Sequence, residues 1–433
     1  MIMCSQADGP SDVASGAIAW ERQPLATAGP TFVDLFSGCG GLSLGFHQAG
    51  YSCQLAVDND PQAVQAYNLN LSNGSPGTAV LQDACHFKSR GDVSSFLAHH
   101  GIGGEACDVV VGGPPCQSFS VVGRLKTRAL MATDEARKHW TERHKKRVAL
   151  FEAFALFVEV LKPRWFLFEN VPTIVSHATF PEILARFGGL SDGKTPLRYR
   201  LFHKNYVASR YGVPQDRRRF ILVGYRDDLG IEDWPGPAEK PVVPVSAALD
   251  DLPVVSHGHK KRRIRYSGHN PTSYQRLMRS GIPKELREEV CDHICRWHND
   301  DDVALFARMK PGARFADVEV QKAIREINPE HKLIKYSTDK FKDKLHKLDP
   351  QRPAWTVTAH LQKDCYKFIH HQQPRTITVR EAARLQSFPD WFRLDGLPMV
   401  SCFRLIGNAV PPLLATAFAD SFTRADPAVS ARV

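Results

Sequence analysis

Cys116 stands in V-G-G-P-P-C-Q-S-F-S, directly after two glycines and two prolines. Two prolines fix φ and remove two backbone donors, so the thiol sits on a stiff loop. The apolar run Val109 to Val111 precedes it. That pattern predicts a buried parallel strand that stops abruptly and presents the thiol at its C-terminal end, the edge at which open α/β sheets bind ligands. A thiol held there is a candidate nucleophile. A second strand, Arg164 to Phe168, runs into Glu169-Asn170-Val171-Pro172 and delivers a carboxylate to the same edge. Burying that carboxylate charged is expensive, so its pKa is expected to rise, which suits a proton donor. A third segment, Y-G-V-P-Q-D-R-R-R-F-I-L-V-G-Y, alternates Gln215, Arg217 and Arg219 toward one side before a strand from Phe220 to Tyr225. Arginines at such spacing suit a carbonyl oxygen and phosphates.

The elements that must position these groups begin at Thr31. T-F-V-D-L-F (31–36) reads as a buried strand, S-G-C-G-G as a turn, Leu42 to Ala49 as a helix closed by Gly50, and Cys53 to Val57 as a strand ending at Asp58. Glycines at 38, 40 and 41 let a ligand approach the backbone, and the acid twenty residues after Gly38 is placed for ribose hydroxyls. The dinucleotide fingerprint wants a glycine at position 43, where this chain has Ser43, and no Lys-Ser/Thr follows the glycines. An adenosine-type ligand without pyrophosphate fits, and S-adenosylmethionine meets that description. Asp83, in L-Q-D-A-C, is a further acid within reach of an adenine amino group, and a solvated loop acid reads the same way. Near the C-terminus, R-T-I-T-V-R-E-A-A-R-L-Q-S-F-P-D places Arg380, Glu381 and Arg384 on a helix. G-N-A-V-P-P reads as a turn at Gly407-Asn408 entering a helix near Pro411-Pro412.

With 433 residues the chain has room for two domains and a large core. A net charge of +10 favours a polyanionic partner. Ten cysteines in a chain this long, with no signal peptide, point to a reducing cytoplasm rather than a disulfide scaffold. No apolar stretch reads as the ~18 residues a membrane span needs. Residues 1–30 and 426–433 read as tails.

In order along the chain, F-S-G-C-G-G, D-N-D, P-P-C-Q, E-N-V, Q-x-R-x-R, R-E-A-A-R-L-Q-S-F-P and G-N-A-V resemble the blocks of the DNA (cytosine-5)-methyltransferase family, over about 31–225 and 351–420. The resemblance implies a Rossmann-like α/β S-adenosylmethionine-dependent catalytic domain over 31–232, completed by about 400–425, with a smaller target-recognition domain over 233–399. It implies that Phe36, Ser37, Gly38, Gly40 and Gly41 line the cofactor site. Asp58, with Asn59 beside it, takes the ribose, Asp83 the adenine amino group, and Asn408 and Ala409 the methionine end. Cys116 becomes the nucleophile, Glu169 the partner at cytosine N3, and Arg219, with Arg217 nearby, the contact at O2. Pro114, Pro115, Gln117 and Gln215 fall to the substrate side, with the Pro114 carbonyl offered to the exocyclic amine.

The residue types suit that chemistry. Cytosine C5 is a poor nucleophile until a thiolate adds to C6, and charge then develops toward N3 and O2, where an acid and an arginine stabilise it. A base inside a duplex must be flipped out to be reached. The implied partner is double-stranded DNA, acted on by a monomer. The chain's size suits a prokaryotic restriction-modification methylase, with a cognate endonuclease acting on the same site, or a solitary one. The tRNA-methylating branch of the family carries a C-F-T tripeptide that this chain lacks. An inactive DNA-binding module would have lost Cys116, Glu169 or the arginines. A nicotinamide-dependent oxidoreductase conflicts with Ser43 and with the P-P-C-Q thiol.

The stretch after Cys116 is long and basic, and Arg124, Lys126 and Arg128 are expected to touch phosphates. K-K-R-R-I-R-Y (260–266) is the strongest basic cluster of the target region. The recognised DNA sequence is not readable from composition. C-D-H-I-C-R-W-H (Cys291, His293, Cys295, His298) is too crowded for an ordinary zinc site. It reads instead as a helix with Ile294 and Trp297 inward, and no metal is expected.

Overall fold

The computed structural model describes residues 29–72, 78–103, 107–115, 149–267, 270–282, 287–334, 337–339 and 344–433. Eight strands matter for the site: β1 (Thr31–Leu35), β2 (Ser52–Asp58), β3 (Ala79–Leu81), β4 (Val109–Gly112), β5 (Trp165–Asn170), β6 (Tyr199–Val207), β7 (Gln215–Asp216) and β8 (Arg218–Arg226). All but β7 form one sheet in the order β3-β2-β1-β4-β5-β8-β6. β1 pairs in parallel with both β2 and β4, β2 with β3, and β4 with β5. β8 is antiparallel to β5 and to β6. The order reverses between β1 and β4, so a crevice opens beyond their carboxyl ends, where such sheets bind ligands.

The strands are apolar runs because helices cover both faces. Alternate side chains therefore enter two different cores. Phe32, Val109, Val111, Trp165 and Leu167 join the core that reaches Phe418 and Phe422. Val33, Val110, Phe166 and Phe168 join the opposite one, with Phe154 and Phe187. The helix Gly41–Gln48 lies against Pro412–Ala425, and Gly45 is required there because a Cβ would overlap the Pro412 carbonyl and the Ala415 side chain.

The expected small domain, 233–399, holds two kinds of packing. Trp234, Val245, Tyr274, Val290, Ile377 and Phe392 belong to the first sheet core. Leu305, Phe306, Phe315, Val320, Ile324, Leu345 and Ile369 form a separate core of their own.

Several expectations change. The tail reading of 426–433 is corrected. Asp426 is buried, takes a bidentate bond from Arg164 (2.7 Å each) and one from Trp165 Nε1 (3.1 Å), and caps the helix Pro427–Ser430. The 291–298 segment is not a helix. Glu289–Cys291 is a strand antiparallel to Arg263–Arg265, and Trp297 is 70% exposed while Ile294 is buried. Its polar side chains go to separate partners: His293 to the Pro253 carbonyl and Thr378, Cys295 to the Ser256 carbonyl, His298 to Thr376. By length and composition Met399–Ala425 is apolar enough to cross a membrane, contrary to the sequence reading. It is broken into two helices, Met399–Asn408 and Pro412–Ala425, and is mostly buried inside the protein.

Candidate active site

The crevice has a cofactor side and a base side. On the first, β1 ends in a turn of three left-handed residues, Phe36 (φ 61), Gly38 (φ 55) and Gly40 (φ 92). At Phe36 that conformation costs about 1 kcal/mol or more, because its Cβ crowds the backbone. The Gly38 N–H donates to Asp58 Oδ2 and the Asp60 N–H to Asp58 Oδ1, both at 2.8 Å. These bonds fix the carboxylate at the end of β2. Burial pushes the Asp58 pKa up, against the pull of those two N–H groups. Gly41 carries no Cβ because one would overlap the Val410 carbonyl and crowd Ala409. The G-N-A-V segment thereby sits directly on the glycine turn, with Asn408 exposed and Ala409 half-buried. Asp83 caps the short helix Ala84–His86 through the Cys85 N–H (2.9 Å) and is half-buried.

These residues fit an adenosyl ligand. Ser37 Oγ is buried with no hydrogen-bond partner among the described residues, and a Cβ at Gly38 would meet open space. Asp58, already holding two backbone donors, retains lone pairs for two hydroxyls. Ser43 turns away from the crevice. Its hydroxyl donates to the buried Asp34 at 2.6 Å and accepts from Tyr67 at 2.8 Å.

On the base side, Glu169 near the end of β5 meets Arg219 at the start of β8, Nε to Oε1 2.8 Å, with each side chain 12% exposed. Antiparallel pairing of β5 with β8 brings them together, since Glu169 lies opposite Ile221. Burial raises the Glu169 pKa and Arg219, then Arg217, pull it down; the net direction is upward. Gly113 makes room for this carboxylate, as a Cβ there would lie 2.7 Å from Glu169 Oε2. Asn170 Nδ2 donates to the Pro114 carbonyl at 3.1 Å, tying the end of β5 to the loop after β4. Pro115 is exposed. Cys116 and Gln117, and the basic stretch with Arg124, Lys126 and Arg128, lie outside the described residues.

Gln215, Arg217 and Arg219 keep the expected alternation, turned inward between the exposed Asp216 and Arg218, but they go to different partners. Gln215 and Arg217 are fully buried. Arg217 donates to the carbonyls of Val357 (2.6 Å) and Gly407 (3.0 Å). Gln215 donates to the Leu385 carbonyl and Gln386 Oε1 and accepts from the Val357 N–H. The ladder changes partner at Arg217, between β7, which pairs with Ala354–Trp355, and β8, which pairs with β5 and β6. Arg217, and Gln215 through Gln386, tie the segment 354–357 to the end of the helix Met399–Asn408.

Arg380 and Arg384 are likewise internal. Arg380 holds three carbonyls, those of Cys291, Pro389 and Phe392, and Arg384 pairs with Asp390 and Asp251. Sequence reasoning passed over Gln386, whose amide reaches the Ile406 carbonyl at 2.6 Å, and Arg404, which pairs with Asp60. Gln386 lies inside the R-E-A-A-R-L-Q-S-F-P block, whereas Arg404 stands three residues before G-N-A-V and carried no signal of its own.

A model of C-5 cytosine-specific DNA methylases matches residues 30–424. The type II methyltransferase M.AgeI of Thalassovita gelatinovora is 31% identical over 90% of this chain and 98% of its own length. M.XorII of Xanthomonas oryzae is 32% identical over 92% and 85%. The putative type II methyltransferase M.OihORF3336P of Oceanobacillus iheyensis is 30% identical over 91% and 95%. A solved structure of a putative prophage-encoded DNA modification methyltransferase from E. coli shares the fold, with TM-score 0.67 and 24% identity over 92% of this chain and 99% of that one. With both the glycine turn and the Glu169–Arg219 pair inside the matched span, the chain belongs to the C-5 cytosine-specific DNA methylase family.

Proposed function

We propose that the protein methylates C5 of one cytosine within a specific double-stranded DNA sequence, using S-adenosylmethionine, as a monomeric prokaryotic cytoplasmic enzyme of the restriction-modification or solitary type. The observation that carries this reading is the buried Glu169–Arg219 pair, one strand away from the loop that leads to Cys116. S-adenosylmethionine supplies an electrophilic methyl group when bound. Phe36 and the Ser37–Gly41 turn would hold its adenosyl part, Asp58 its ribose with Asn59 adjacent, Asp83 its adenine amino group, and Asn408 and Ala409 its methionine end.

The chain's own residues handle the base. The Cys116 thiolate forms a bond to C6 of a flipped cytosine, and the C5–C6 π electrons move onto C5 and toward N3. Glu169, whose pKa burial shifts upward, is the proton donor at N3. The carboxylate left behind is then compensated by Arg219, already 2.8 Å away. Arg219 also faces the O2 side, and the Pro114 carbonyl, steadied by Asn170, accepts from the exocyclic amine. C5 uses that electron pair to take up the methyl group, N3 returns its proton to the Glu169 carboxylate, and loss of the C5 proton to solvent with departure of the Cys116 thiolate restores the aromatic ring. A cognate endonuclease cutting the same sequence would complete a restriction-modification pair.

The test is transfer of isotopically labelled methyl from S-adenosylmethionine to duplex DNA and to tRNA, with nucleoside mass spectrometry of the product. Label recovered as 5-methyl-deoxycytidine supports the reading. Label confined to tRNA, or recovered at N4, overturns it.

A further inference from the structure

Arg404 lies outside every group assigned so far, yet it touches both walls of the cofactor crevice. It sits on the helix Met399–Asn408, four residues before Asn408 and therefore on the same helical face. Its guanidinium forks: Nη1 pairs with Asp60 Oδ2, and Nη2 donates to Gln62 Oε1 at 2.8 Å. Asp60 is the cap of the helix Pro61–Leu71, accepting the Gln62 N–H at 3.0 Å. Its own N–H holds Asp58 Oδ1, while Asp58 Oδ2 holds the Gly38 N–H. A continuous chain of bonds thus runs from the helix that presents Asn408, through Arg404 and Asp60, to Asp58 and the glycine turn. The pair is partly shielded, with side chains 28% and 22% exposed. Such a charge-assisted fork is more directional than a surface pair.

We propose that Arg404 is a positioning residue for cofactor binding. Its pairing with Asp60 sets the distance between the ribose end of the crevice (Asp58) and the methionine end (Asn408 and Ala409). The inference rests on the cofactor reading given above. Without the guanidinium, the tie between the helix Met399–Asn408 and the Asp60 cap is lost, and Asp60 loses its paired cation beside Asp58.

Calorimetric titration of the purified protein with S-adenosylmethionine, and with S-adenosylhomocysteine as a non-reacting probe, tests it without turnover. Asp60→Asn is the matching variant because asparagine still caps a helix while removing the charge. Arg404→Met and Asp60→Asn are each expected to raise the Kd about tenfold. The double variant should lose no more than either single one, as expected for partners in one interaction. The KM for DNA and the melting temperature of the cofactor-free protein should stay near wild type. Arg404→Lys keeps the charge and loses the fork, so it should fall between; it also serves if the methionine variant does not fold. An unchanged Kd in Arg404→Lys and Arg404→Met, strictly additive losses, or a lowered melting temperature with wild-type Kd would overturn the proposal. Absence of binding by the wild-type protein would instead remove the cofactor reading on which it rests.

Discussion

Replacing Asp34 with asparagine should make the protein more stable at alkaline pH. Asp34 is fully buried on β1, directly behind the glycine turn. Its Oδ2 accepts the Ser43 hydroxyl at 2.6 Å, and its Oδ1 has no partner among the described residues. Burial, with a smaller contribution from the nearby Asp58 charge, raises its pKa from 3.8 to about 7, despite the Ser43 bond that opposes the shift. Between those two values the folded state holds a proton that the unfolded state has lost, so stability falls as pH rises through that window. A shift of about three units at ~1.36 kcal/mol each gives a cost approaching ~4 kcal/mol above pH 7. Asparagine is neutral at every pH and its carbonyl can keep the Ser43 bond. Urea unfolding of both proteins should therefore show Asp34→Asn gaining about 2–4 kcal/mol at pH 8 and almost nothing near pH 4. A variant whose advantage does not grow between pH 4 and pH 8, or which is destabilised at pH 8, refutes the reasoning.

Four further outcomes follow from the same geometry. His47, His293 and His298 are buried, and burial lowers each pKa to about 4. The unfolded state takes up their protons first, so they make stability rise with pH between about 4 and 6.5. His293→Gln should lower the steepness of that acid limb in unfolding measurements at pH 4.5, 5.5 and 6.5. Arg217→Met leaves two buried carbonyls without their donor and should cost about 3 kcal/mol in urea unfolding. It should weaken cofactor binding as well, whereas a substrate-contacting arginine would leave stability unmoved. Gly41→Ala drives a methyl group into the Val410 carbonyl and should lower both melting temperature and cofactor affinity, while alanine at Gly38, which meets open space but is held at φ 55, should cost only about 1 kcal/mol. Arg219→Met removes the cation that opposes the burial effect on Glu169, so its pKa should rise and the alkaline limb of the pH–rate profile should move upward, with a lower maximal rate.

What the sequence made legible was local. The glycine turn, Asp58 and Glu169 declare themselves through short runs in which strand, turn and acid are contiguous, and the structure puts them at one sheet edge. What it hid depends on distant partners. The bonds of Arg217 go to carbonyls 140 and 190 residues away, which its local alternation with Arg219 could not reveal. Asp426 looked like the start of a tail because the arginine that anchors it lies 262 residues earlier. Trp297 follows a pattern that suits an inward helical face, yet the segment pairs as a strand at Cys291, which changes the periodicity and turns the ring to solvent. Ser43 declares the departure from the dinucleotide fingerprint in the sequence, but its bond to Asp34 depends on the helix being placed against β1.

The central claim is that Cys116 adds to a cytosine which Glu169 and Arg219 have polarised. Base-resolution mapping of 5-methylcytosine across the genome of a methylation-free host expressing the wild-type protein or Cys116→Ala tests it most directly. The account predicts one recurring modified sequence with the wild-type protein and none with Cys116→Ala, although that variant still binds S-adenosylmethionine. Modification that persists in the alanine variant, or none from well-folded wild-type protein, would contradict it.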